Sequence, residues 1–182
     1  MEILDHHPVL EAVLSEHAGA LGAARVPYAG HVYRTFNLAR AVLGNSARDD
    51  SLAVISVFHD LGIWTDRTFD YLPPSLARAE AYLARESVPV SPQLVRAAID
   101  NHHCLRAVRG GPEPQVSEAF RRADLVDVSR GLVRFGLPNS YLRELRATFP
   151  IAGFHGVLVR AAWGWFVRHP TRPLPMLRLK AR

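Results

Sequence analysis

The chain has 182 residues, enough for one domain whose core needs no covalent staples. Its 48% hydrophobic and 21% charged content is that of an ordinary globular protein and not of a disordered one, and its single cysteine, Cys104, excludes an internal disulfide and a Cys-rich zinc module. The net charge of +5 rests almost wholly on arginine, with Lys180 the only lysine; the arginines are scattered without an aromatic-interleaved basic stripe, so a small anionic partner is expected and nucleic acid is not.

The N-terminal "MEILDHHPVL" has no basic segment followed by an apolar one, so no signal peptide is expected. A lone cysteine agrees with a reducing, cytoplasmic location. Helical spacing of apolar residues, punctuated by Pro and Gly, predicts an all-α fold of seven or eight helices and no strand. The helices are expected over about 8–24, 28–44, 48–61, 75–87, 92–105, 115–130, 140–148 and 151–168. Residues 1–27 are expected to pack an N-terminal helix on a core formed by 28–130. Helices in 131–168 complete the domain, and 169–182 form a basic, Pro-containing tail.

In the second helix Val32, Phe36, Ala39 and Leu43 form one apolar stripe beside another of His31, Thr35, Leu38 and Val42, so the helix is enclosed with His31 near its start. Gly44 sits where a C-cap belongs. The third helix, "SLAVISVFHDLGIW", is apolar up to His59 and Asp60, and Gly62 is expected to end it. Pro73-Pro74-Ser75 opens the next helix, and Ser91-Pro92 the one after. That fifth helix carries His102 on the stripe of Val95, Ala98 and Ile99, with His103 beside it. In the sixth, Asp124 lies one turn from Phe120 and Val128 on a core-like stripe. The last helix is interrupted by His155 and Arg160 and is short for a span, so no membrane is expected as a partner. With Trp163, Trp165 and Phe166 it suits a homodimer interface as well as a core.

A carboxylate among apolar side chains is costly unless paired. His31, His59, Asp60 and Asp124 project from three mostly apolar helices and would satisfy one another through a divalent cation. Such a mixed N/O donor set suits Mn, Fe, Co, Ni or Zn, and the imidazoles disfavour Mg. Neighbouring helical residues point about 100° apart, so His59 and Asp60 share an ion only if it sits over the seam between them.

The order His31, His59-Asp60, Asp124 resembles the HD superfamily of metal-dependent phosphohydrolases. "HVYRTFNLA" is similar to that family's H-x-x-R helix, "FHDLG" to its HD motif, and "RRADLVDVS" to its A-D-x-x-D helix, with Asp127 one turn beyond Asp124. The resemblance spans about 28–130 and implies an HD-domain bundle with a metal site between helices. It implies that His31, His59, Asp60 and Asp124 hold an ion, that a free oxygen of Asp60 orients the attacking water, and that a phosphomonoester or nucleotide phosphoester is hydrolysed. Arg34 would pair with a ligating carboxylate or face phosphate. Asp66 and Arg67 would protonate the leaving group and neutralise charge, with His102 or His103 competing for the acid role. Arg106 and Arg109 would clamp the anion.

His102 and His103 also resemble the additional histidines of dinuclear HD enzymes. The helix after the HD motif, however, has no histidine, leaving only Ser75 or Glu80 to stand in. One tightly held ion with a second, weaker one is therefore expected. The absence of a Gly-Tyr-Pro element argues against cyclic-di-GMP hydrolysis. Other reactions at the same metal remain open: a cyanamide-hydratase-like hydro-lyase, a diiron oxygenase, or a nucleotide-binding regulator without turnover.

Overall fold

The apolar stripes collapse against one another in an all-helical bundle. The computed structural model describes residues 1–44, 48–177 and 179, and among them there is no strand. Eight helices have nine residues or more: α1 (Pro8–Glu16), α3 (Arg25–Leu43), α4 (Asp49–Phe58), α6 (Leu72–Arg85), α7 (Pro92–Asn101), α8 (Pro114–Val128), α9 (Asn139–Thr148) and α10 (Phe154–Arg168). Single turns, α2 (Ala18–Leu21) and α5 (Gly62–Thr65), lie between them.

α3 is the central element. Every residue from His31 to Ala39 is buried, as the paired stripes predict, and the helix packs most extensively on α8. α4 buries all of Ser51–Phe58 and packs on α3, α1 and α7. Proline occupies the first turn of α1, α6, α7 and α8, and the Ser91 side chain accepts the Leu94 N–H of α7. Gly44 ends α3 in the left-handed conformation its sequence position predicts.

Several boundaries differ from the sequence reading. The helix expected over 8–24 breaks at His17, whose φ of −97° and ψ of 11° leave the α region. The helix expected over 48–61 stops at Phe58, and its chain continues in a tighter i→i+3 turn: Leu61 N–H donates to Phe58 O at 3.1 Å and Ile63 N–H to Asp60 O at 3.0 Å. Gly62 is not a C-cap. It is glycine because a Cβ there would lie 2.6 Å from the Tyr71 carbonyl oxygen. Val128, expected on a core stripe, is exposed. Arg178, Lys180, Ala181 and Arg182 of the expected basic tail lie outside the described residues.

The segment after α7 is tied to α8 through Glu118. This carboxylate accepts the Val108 N–H at 2.9 Å and pairs with Arg121 and Arg122, while Arg121 reaches the Cys104 carbonyl. Burial pushes Glu118 up, but these donors outweigh it and hold the carboxyl at about 2, below its usual 4.5. The network's stabilisation is complete above about pH 4.5 and fades as pH falls toward 2. Glu118→Gln is therefore expected to lower stability at pH 7 by on the order of 1–2 kcal/mol after solvent screening. Urea denaturation should show the gap to the parent protein narrowing below about pH 4.5.

Candidate metal centre

Four pieces of backbone bring the ionisable groups together. His31 comes from the first half of α3, His59 and Asp60 from the tight turn after α4, His102 and His103 from the end of α7, and Asp124 and Asp127 from α8. The i→i+3 turn explains how adjacent residues serve one site: ending α4 at Phe58 lets His59 and Asp60 lie over the junction of α3 and α8.

Each of three histidines is fixed through its Nδ1. His59 Nδ1 lies 2.8 Å from the Ser56 carbonyl and His102 Nδ1 2.7 Å from the Ile99 carbonyl. A carbonyl only accepts, so both nitrogens carry the proton. His31 Nδ1 donates to Asp127 Oδ2 at 2.8 Å. In neutral rings, all three Nε2 atoms therefore present lone pairs. Those of His31 and His59 face each other at 3.0 Å, deep in the protein.

Around that pair stand two carboxylates. Asp60 Oδ2 lies 3.7 Å from His31 Nε2 and 3.5 Å from His59 Nε2, and Asp124 Oδ1 lies 3.7 and 3.9 Å from the same atoms. Each carboxylate turns its other oxygen outward. Asp60 Oδ1 is 3.6 Å from His102 Nε2, and Asp124 Oδ2 is 3.8 Å from His103 Nδ1. Asp60 Oδ1 and His102 Nε2 are both buried with no hydrogen-bond partner. Three donor triplets are close enough to hold a metal ion: His31–His59–Asp124, His59–Asp60–His102 and His102–His103–Asp124.

The electrostatics are those of a buried cluster that could hold a cation. Burial drives His59 down to about 3, so its ring is neutral at pH 7 and cannot relieve the opposed lone pairs by taking a proton. Burial, with Asp60 and Asp127 nearby, pushes Asp124 up to about 6, against the pull of His102 and His31. Burial also opposes the charge on Asp60, but the His59, His102 and His31 rings, His102 through its polar contact, hold its carboxyl well below the usual range, and Asp60 with Asp124 in turn raises His102 against its burial.

The other expected site residues fall in different places. Arg34 faces no solvent-accessible space: it is fully buried, grips Asp127 with Nε at 2.6 Å and a terminal nitrogen at 2.9 Å, and donates to the Phe149 and Pro150 carbonyls at 3.0 Å. Asp66 is at the surface, bound to Arg78 at 2.8 Å and to Thr65, with its carboxyl lowered by the Thr65 hydroxyl and by Arg78. That placement removes it from the cluster. Arg67 is exposed in a left-handed turn with φ of 52°. Glu80 pairs with Arg96 at the surface, and the buried Ser75 hydroxyl accepts the Gly62 N–H at 2.9 Å, so neither stands in for a histidine ligand. Arg106 and Arg109 are exposed in the loop after α7.

Two residues that the sequence did not single out border the cluster. The Tyr71 hydroxyl, in the chain entering α6, lies 2.6 Å from His103 Nε2. Phe154, the first residue of α10, stacks on the His31 ring at 4.1 Å between centroids. Nothing local marks either one; only the "FDYLPP" loop's nearness to the HD doublet pointed toward Tyr71. His103 is the most exposed of the cluster's histidines, so the way in lies on the side of His103 and Tyr71.

Asp127 is the joint of this arrangement, shared by His31 and Arg34. Removing its charge would leave Arg34 buried and unpaired. Asp127→Asn is expected to cost about 3–5 kcal/mol. Chemical denaturation would measure it, and Arg34→Met alongside Asp127→Asn should recover part of the loss.

Compared with protein-family models, curated proteins and solved structures, the chain matches none.

Proposed function

We propose that this protein is a metal-dependent phosphohydrolase of the HD type, acting on a phosphomonoester or nucleotide phosphoester through a metal-activated water. One observation carries the reading: the two imidazole lone pairs 3.0 Å apart, flanked by two buried carboxylates. Two donors bound at right angles, each about 2.1 Å from one ion, stand about 3.0 Å apart. The sequence order and local motifs of these residues resemble those of the HD superfamily.

His31, His59, Asp60 and Asp124 would hold the ion, with Mn, Fe, Co, Ni or Zn fitting the mixed donors better than Mg. Such an ion lowers the pKa of bound water and polarises a phosphoryl oxygen. The chain's own groups do the rest. The Asp127–Arg34 pair holds His31 in one tautomer and orientation. Carbonyls do the same for His59 and His102. Asp60 and Asp124 each reach toward both histidine pairs, so a second, weaker ion would lie by His102 and His103. Arg106 and Arg109, exposed after α7, are free to meet an anionic substrate arriving past His103.

That second position supports one further reading, a diiron oxygenase at the same site. Elemental analysis of protein purified without chelators, joined to a panel of phosphomonoesters and nucleotides, separates the two. The hydrolase reading expects at least one bound divalent ion per chain and phosphate release that falls at least about 100-fold in Asp60→Ala. Two irons with oxygen consumption would favour the oxygenase. Protein with no bound ion, or activity that persists in Asp60→Ala, overturns the proposal.

A further inference from the structure

Beyond Asp127 the chain changes character. Residues 128–182 hold ten Arg and Lys against one acid, Glu144, whereas the first 127 residues hold twelve against sixteen Asp and Glu. The same segment carries most of the large apolar side chains that the structure leaves exposed. Single exposed hydrophobes are ordinary, but a concentration of them within a strongly basic segment is not.

α10 organises that segment. Leu158, Ala161, Ala162 and Trp165 form the stripe packed on the body of the protein. A second apolar stripe of Val159, Trp163, Phe166 and Val167 faces solvent, with Val159 at 68% and Trp163 at 66% exposure. Trp163 and Phe166 lie together at 5.7 Å between ring centroids, and Arg160 borders them. The following chain is held beside the helix: the Trp165 indole donates to the Arg172 carbonyl at 2.8 Å, and Met176 is buried. That fold-back leaves Leu174, Leu177 and Leu179 outward.

We infer that α10 and residues 169–177 form a docking face for an anionic lipid surface. Charge complementarity identifies the occupant. A second copy meeting this face isologously would set arginine against arginine, and Asp70, the acid that reaches this segment, already lies 3.7 Å from Arg172. A bilayer with anionic headgroups supplies the opposite charge, and its interface accepts Trp, Phe and aliphatic side chains that are dispersed over a helix and a tail. No helix among the described residues is long and apolar enough to cross a membrane, so the contact is peripheral. The sequence expectation of no membrane partner rested on the lack of a span, and that of a homodimer on this same helix.

Co-sedimentation of the full chain with phosphatidylcholine vesicles, with and without an equal part of phosphatidylglycerol, tests the inference, with light scattering for the mass in solution. Binding to the anionic vesicles alone, weakening as salt rises, is expected. Trp163→Ser with Phe166→Ser should weaken it roughly tenfold, and Arg160→Glu should weaken it also, both with unchanged helix content. No binding to the anionic vesicles, or equal binding by the Trp163→Ser, Phe166→Ser protein, overturns the inference. A mass of two chains that falls to one in that variant, without vesicle binding, also overturns it by assigning the face to a second copy.

Discussion

Asp127 is the residue on which the arrangement depends. Its two oxygens are divided between the imidazole of His31 and the guanidinium of Arg34, which in turn holds the Phe149 and Pro150 carbonyls. One carboxylate thus joins α3, α8 and the chain leading to α10. It also sets the chemistry: by accepting the hydrogen bond from His31 Nδ1–H, it leaves Nε2 of the neutral ring to face His59. Burial of Arg34 and Asp127 is costly in itself, and the bidentate contact with the further carbonyl bonds offsets that cost.

The same logic runs through the cluster. Backbone carbonyls accept the Nδ1–H groups of His59 and His102, so in the neutral rings the Nε2 atoms face one another and the carboxylates. Buried polar groups are normally satisfied, and here two of them, Asp60 Oδ1 and His102 Nε2, meet only each other, at 3.6 Å. A set of buried donors held in place by secondary contacts is the arrangement that binding an ion would require. The apolar α4 beneath His59 supplies the rigid support.

Much of this was legible in the sequence. The apolar stripes of α3, α4, α7 and α8 indicated which faces are buried, and the polar residues on or just beyond them, His31, His59, Asp60, His102 and Asp124, are those that meet. What sequence spacing could not supply was the set of contacts made between elements. Gly62 looks like a C-cap but answers to the close approach of the Tyr71 carbonyl and the Pro74 ring, while its N–H donates to the Ser75 hydroxyl. Asp66 has the chemistry of a catalytic acid, yet Arg78 from α6 claims it at the surface. Arg34 was expected near the site, but its burial against Asp127 depends on how α3 packs on α8. Tyr71 and Phe154 reach the cluster only through tertiary packing.

The central claim is that these residues form a cation site, and metal-linked stability tests it most directly. A group that binds the folded chain and not the unfolded one raises Tm by mass action. Chelator-stripped protein should gain thermal stability on addition of Mn, Co, Ni or Zn, with a stoichiometry of at least one ion per chain, and His59→Ala should lose that gain while keeping its helix content. A Tm that ignores all four ions, or that rises equally in His59→Ala, would contradict the account.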